Sequence, residues 1–417
     1  MKKCLGLFTL AFALLFAITV KADALIMTQQ DLQDCIDTAS TAADKKATCE
    51  VSSYINLGST IEIKGGVEVT ISLDKTGGAL EITADDTVDP LFKVTDGKLI
   101  FDGVGRITGN VDVFYLLGNT AGGTTKAELE IGEGIEVVSN TSNAVYLKGK
   151  GAKLDVYGDL LSNSTKYAAI QGNGNPESAG TVINIYEGAT VKAPSNTAIY
   201  HPQDGELNVL GGEITGTTGI EMRAGKLTVK GGTIVGTAVP TETTANGNGS
   251  TTTGAGIAVV QHTTEFNLSA VVEGGTVKGY TALYHNNTEN NSEAAANKVT
   301  LEVTGGTFEA TNEGTNAIYS DAKENFIEGG EFKGAVNEKF VSEELETKVI
   351  DGVTYIGESI PKEEEKEEIK EEVKEEEKDT DKEKNPNTGD SVMLFLVLGL
   401  IGLVGTGVAT NKLRKNA

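Results

Sequence analysis

Short runs of alternating apolar and polar residues, each closed by a glycine pair, recur through the middle of the chain. The clearest copies are Leu207-Asn-Val-Leu-Gly211-Gly212, Leu227-Thr-Val-Lys-Gly231-Gly232 and Leu301-Glu-Val-Thr-Gly305-Gly306. Weaker copies end at Gly274-Gly275 and Gly329-Gly330, and Leu129-Glu-Ile-Gly, Leu154-Asp-Val-Tyr-Gly and Ile183-Asn-Ile-Tyr-Glu-Gly begin the same way. A second short strand follows the glycines, as in Glu213-Ile214-Thr215 and Thr307-Phe308-Glu309. A third element joins a small residue, an aliphatic one and often a tyrosine: Asn143-Ala-Val-Tyr146, Thr197-Ala-Ile-Tyr200, Thr281-Ala-Leu-Tyr284 and Asn316-Ala-Ile-Tyr319. In Ala168-Ala-Ile-Gln171 and Thr218-Gly-Ile-Glu221 the tyrosine is replaced. Period-two alternation puts Leu, Val and Ile on one face and Thr, Asn, Glu and Lys on the other. Three short strands per unit, in an order that never reverses, predict an all-β chain: a parallel β-helix over residues 56–335. A β-sandwich or jelly roll needs Asn-Gly or Asp-Gly hairpins between antiparallel neighbours. Within the repeats such turns are sparse, Asp96-Gly97 and Asp102-Gly103 being the main ones.

Both ends of such a stack need a cover. Thr28-x-x-Asp31 followed by Leu32, Cys35 and Ile36 predicts a capped helix over the first coil, within an N-terminal cap spanning 25–55. Asp351-Gly352 between two apolar runs predicts a hairpin within a C-terminal cap, 336–357. Beyond it the pattern disappears. Residues 362–384 hold seven Lys and 13 acidic residues, so 358–384 reads as a charged spacer, helical part of the time. The chain closes with Asn385-Pro386-Asn387-Thr388-Gly389, an uncharged stretch of 19 residues from Val392 to Thr410, and then Lys412, Arg414 and Lys415. That stretch is just long enough to cross a bilayer as a helix, with its basic end held in the cytoplasm. At the other terminus, Lys2 and Lys3, the apolar run Leu5 to Val20 and Ala22-Asp23-Ala24 predict a secretory signal peptide over 1–24.

The order of pentapeptide, apolar span and basic tail resembles the sorting signal of Gram-positive cell-wall surface proteins, whose usual motif is Leu-Pro-X-Thr-Gly. Here Asn385 stands in the place of Leu. The resemblance implies that a sortase cuts between Thr388 and Gly389 and joins Thr388 covalently to peptidoglycan. The membrane would then hold only the intermediate. Gly-Gly-x-Phe, a short helix and an Asp-Gly hairpin resemble the closing segment of exported bacterial β-helix proteins of the pectin-lyase-like kind. That resemblance, with the general preference for right-handed crossovers, implies a right-handed coil.

Composition narrows the partners. A net charge of -25 opposes binding to nucleic acid. With 51 Gly, 6% aromatics and no Trp, the chain is expected to build its core from small and β-branched residues, not large rings. Cys35 and Cys49 either close a ring of 15 residues as a disulfide, contributing roughly 3 kcal/mol, or remain free thiols.

No catalytic constellation is legible. A hydrolase needs carboxylates within about 5 to 10 Å of each other, yet Tyr146, Gln171, Tyr200, Glu221, Tyr284 and Tyr319, equivalent positions of the third strand, include one acid. A lyase wants calcium ligands near a basic residue. Arg106 and Arg223 are the only arginines before the tail, and Asp85, Asp86 and Asp89 share one loop that reads as a calcium site or as plain solvated surface. No cofactor and no metal site is called for; His201 and His285 sit about 14 Å apart by strand spacing. The candidate ligand face is aromatic: Tyr200, Tyr284 and Tyr319, with His201 and His285 directly after two of them, and Tyr146 further back. Tyrosine rings stack on sugar faces and hydrogen-bond at their rims. Insertions 118–127, 171–180, 260–267 and 286–298 all follow the third strand and so leave from one corner beside these residues, whereas 240–254 leaves from another. The expected function is a wall-anchored adhesin or glycan-binding β-helix. The alternatives are a wall-attached polysaccharide lyase or glycoside hydrolase, and a passive surface or stalk protein.

Overall fold

Inward side chains of each coil lie directly on those of the coil before, and that stacking is the core of the computed structural model. The structure describes residues 26–361, except 74–79, 120–124, 240–241, 248 and 289. The expected signal peptide, most of the charged spacer, Asn385 to Gly389 and the 392–410 span lie outside the described residues. Among those described, no helix is long and apolar enough to cross a membrane.

Three parallel sheets run along the stack, as expected for a parallel β-helix. The first has ten strands, from Lys46–Val51 to Val299–Val303; the third has ten, from Ile61–Ile63 to Ile318–Ser320. The second has thirteen, beginning at Ile55–Leu57, and its last two strands are antiparallel. Parallel register stacks Leu99, Leu129, Leu154, Ile183, Leu207 and Leu227 in the first sheet. It stacks Val145, Ile170, Ile199, Ile220 and Ile257 in the third. All of these are buried, and each such side chain contributes about 1.5–3 kcal/mol of apolar burial.

The glycine pairs divide two tasks. Gly232 has φ +81°, which favours glycine, and a Cβ there would lie 2.6 Å from the Gly211 carbonyl oxygen. Gly211, first of its own pair, packs close under the coil before it: a Cβ would come within 2.7 Å of Glu187 Cα. The expectation of a core without large rings needs correcting at both ends of the stack. Phe92, Phe101 and Phe114 pack inside with centroids 5.2 to 5.4 Å apart, and Phe308 stacks on Phe332. Few aromatics suffice for this because in-register strands place one ring upon the next.

The first coil starts inside the segment expected to be cap, since Lys46–Val51 pairs in parallel with Val67–Leu73. The helix Gln29–Thr41 covers it, with both hydrogen bonds of the Thr28/Asp31 capping box in place and Leu32, Ile36 and Ala39 buried. Cys35 and Cys49 are disulfide-bonded, which ties this helix to the first strand. At the far end Asp351 and Gly352 both have positive φ, as a two-residue hairpin turn of the primed type demands. Their hairpin adds Val353–Ile356 antiparallel to Gly330–Lys333 and so closes the second sheet. Past Ile318–Ser320 the third sheet continues, among the described residues, only as one isolated parallel bridge, Asn316 to Ala335.

Candidate functional site

Register assembles one outward row on the third sheet from positions far apart in sequence. It runs Glu62, Lys93, Tyr115, Tyr146, Gln171, Tyr200, Glu221, Ala258, Tyr284 and Tyr319. The six positions read from the sequence fall into this register. Tyr115 and Ala258 were missed. Tyr115 follows Phe114 where the pattern asks for an aliphatic residue, and Ala258 carries no aromatic to mark it.

The two histidines do not belong to this face. Alternation that turns Ile199 in and Tyr200 out turns His201 in again, and His201 is 0% and His285 1% exposed. They share an inward row with Met222, Val259 and Ser320. Burial brings both down to about 4, so they stay neutral at ordinary pH. His201 Nδ1 lies 3.1 Å from the Ala224 carbonyl oxygen. His285 Nδ1 is 2.9 Å from Ser320 Oγ and 3.6 Å from Asp321 Oδ1. Serine and carboxylate thus meet the same ring nitrogen, unlike a catalytic triad, which uses both nitrogens. Ser320 Oγ also accepts the Lys323 amide at 2.8 Å, as a turn residue does.

Tyr200 is committed to an internal partner. Arg223 Nη1 donates to its hydroxyl at 3.2 Å, and the guanidinium carbon stands 5.8 Å from its ring centroid. Arg223 is 0% and Glu221 1% exposed, with their charges 3.8 Å apart. Burial pushes the Glu221 carboxyl up to about 7, against the opposing pull of Arg223 and the Thr252 amide. The cover is a hairpin of strands Glu242–Asn246 and Gly249–Thr253, within the 240–254 insertion. The Thr218 hydroxyl donates to the Thr252 carbonyl at 2.9 Å, and a Cβ on Gly249 would lie 2.6 Å from Arg223 Nη2. This insertion leaves between the second and third strands, as expected, but folds back over the third sheet.

What remains of the face is two tyrosine pairs. Tyr115 and Tyr146 stack at 5.3 Å and 11°, and Tyr284 and Tyr319 at 5.2 Å and 16°; all four are half-buried. Asn173 Nδ2 donates to the Tyr146 hydroxyl at 2.8 Å, so the 171–180 loop steadies one pair. The four insertions expected at one corner do run from third-sheet to first-sheet strands, and two of them meet where His262 approaches Gly174. A further pair, Tyr157 and Tyr186, stacks at 4.1 Å just past the ends of first-sheet strands; sequence reasoning passed over it, although each tyrosine follows a repeat strand directly.

The aspartates of the 85–89 loop serve the second corner. Asp85 accepts from Asn56 Nδ2 and Asp86 from Asn110 Nδ2, both at 2.6 Å. Asn140 and Asn163 continue the ladder from Asn110 in successive coils. These contacts aim the two carboxylates at different asparagines. No protein-family profile, no curated protein and no solved structure matches this chain.

Proposed function

We propose that this chain is an exported surface protein, joined to peptidoglycan through Thr388 by a sortase, whose right-handed parallel β-helix presents a saccharide-binding face to the surroundings. The anchoring half rests on the ordered pentapeptide, apolar span and basic tail. The binding half rests on one observation: Tyr115, Tyr146, Tyr284 and Tyr319 occupy register-equivalent outward positions and remain half-exposed. Core packing does not require rings at these positions, since Gln171 and Ala258 fill the same row. Aromatic rings with polar rims suit the apolar faces and hydroxyl edges of sugars.

Two results are expected. Thr388→Ala should leave the protein in the membrane fraction or shed into the medium, and its recovery from purified peptidoglycan at wild-type yield would sink the anchoring reading. The double variant Tyr146→Ala, Tyr319→Ala should keep its circular dichroism and lose glycan-array binding, since each stack contributes about 1 kcal/mol. Unchanged array binding by that variant would move the function off this face.

A further inference from the structure

The last strand of the third sheet carries Tyr319, the bridge beyond it pairs only Asn316 with Ala335, and this leaves one ring face in a different position from the others. Tyr284 and Tyr319 lie in register with nearly parallel rings, so their faces point along the stack and each covers one side of the other. The opposite face of Tyr319 is turned toward the end of the sheet, where no further third-sheet strand follows among the described residues. There the ring lines a groove of about 310 Å³ together with Asn316, Asp321, Asn337, Lys339 and Phe340. That volume sits at the low end of the range for small-ligand pockets, about 300–1,000 Å³.

The polar groups around the groove are held in place. Asp321 accepts the Asn287 amide through both oxygens, at 3.1 and 2.9 Å, which fixes the carboxylate with acceptor capacity to spare. Asn337 caps the short helix Glu338–Phe340: its Oδ1 accepts the Lys339 amide at 3.1 Å, which orients its Nδ2 as a donor. Lys339 is drawn back over the Phe340 ring at 5.4 Å and toward Glu324 at 3.7 Å. The groove therefore offers an aromatic face, a fixed acceptor and a fixed donor, without an uncommitted positive charge.

We infer that this groove binds the terminal residue of a neutral hexose-containing glycan, with the sugar ring stacked on the outer face of Tyr319. Asp321 and Asn337 then take neighbouring hydroxyls, which both donate and accept. An acidic sugar is disfavoured because Asp321 faces the groove and Lys339 is already paired. The inference rests on the saccharide-binding reading above and narrows it to one end of the row.

Saturation-transfer NMR of the full chain with methyl glucoside, methyl galactoside and methyl mannoside, and methyl glucuronide as the charged comparison, tests it. At least one neutral glycoside should bind in preference to the glucuronide. Tyr319→Ala should weaken that binding about tenfold, and Tyr319→Phe should keep it. Asn337→Asp keeps the capping oxygen, removes the donor and should lower affinity as well, which covers the case of a misfolded Tyr319→Ala protein. Binding that survives both Tyr319→Ala and Asn337→Asp, or a glucuronide bound as well as the neutral sugars, overturns the inference and leaves the broader reading standing. No binding of any saccharide by the wild-type chain, on the array or by NMR, overturns both.

Discussion

Ile199→Asp is expected to be among the most destabilising single changes in this chain. Ile199 is fully buried and lies in register between Ile170 and Ile220. The substitution loses about 2 kcal/mol of apolar burial and places a carboxylate where the apolar stack supplies no donor. A buried, unpaired charge costs several kcal/mol more, even after it shifts its protonation. In a stacked repeat each coil contacts only its neighbours, so the loss should fall on the coils around residue 199 and open the stack there first. The matched control is Tyr146→Asp, on the outward row, which gives up one ring stack of about 1 kcal/mol and has Tyr115 and Gln171, not a carboxylate, as its register neighbours. Thermal unfolding followed by circular dichroism should separate the two clearly. Coincident midpoints would contradict the inward and outward assignment. Tyr200 cannot serve as that control, because an aspartate there would confront Glu221 across the Arg223 guanidinium.

The second large effect concerns Arg223, and it depends on pH. Breaking a buried ion pair from one side costs about 3–5 kcal/mol, because the remaining charge has no compensation. Arg223→Met should therefore destabilise the fold strongly at pH 8, where Glu221 must either stay protonated against the solution or ionise beside methionine. At pH 5 the folded carboxyl is protonated in any case, so the loss should be smaller. In the wild-type chain the Glu221 carboxyl has its pKa raised from 4.5 to about 7. Below pH 4.5 it is neutral in both folded and unfolded chains and imposes no pH-dependent penalty. Between 4.5 and 7 the unfolded chain releases the proton that the folded chain retains, so stability falls as pH rises. Above 7 the loss is complete, at roughly 3 kcal/mol. Adding Glu221→Gln to Arg223→Met removes the buried acid and should restore much of the stability at pH 8. Chemical-denaturant midpoints at the two pH values give the result. An equal loss for Arg223→Met at pH 5 and pH 8 would show that Glu221 does not carry the effect.

Much of this architecture is legible in the chain because its rules are local. Leu207, Leu227 and Leu301 mark inward positions by alternation, and the glycine pairs after them mark the corners. Thr28 with Asp31, and Asp351 with Gly352, announce the two caps because capping and tight turns are settled within four residues. The pentapeptide Asn385 to Gly389 and its flanks are likewise a local pattern, readable without any fold. The inward turn of His201 and His285 was also present in the alternation. It was passed over because histidine beside tyrosine suggests surface chemistry, whereas strand geometry gives the residue after an outward tyrosine no choice.

The sequence by itself determined which residues point inward and outward, where coils turn and how the stack is closed, since strand period and backbone conformation are properties of neighbouring residues. Only the tertiary structure decided which outward residues meet solvent. Glu221 and Ala258 share a row with Tyr115 and Tyr319, yet the 242–253 hairpin closes over Glu221 and Arg223 and leaves the outer tyrosine pairs half-exposed. The exposure of Tyr319 depends equally on the C-terminal hairpin joining the second sheet instead of the third. Burial of an outward position is set by what a distant segment does when the chain closes up, and no local pattern carries that information.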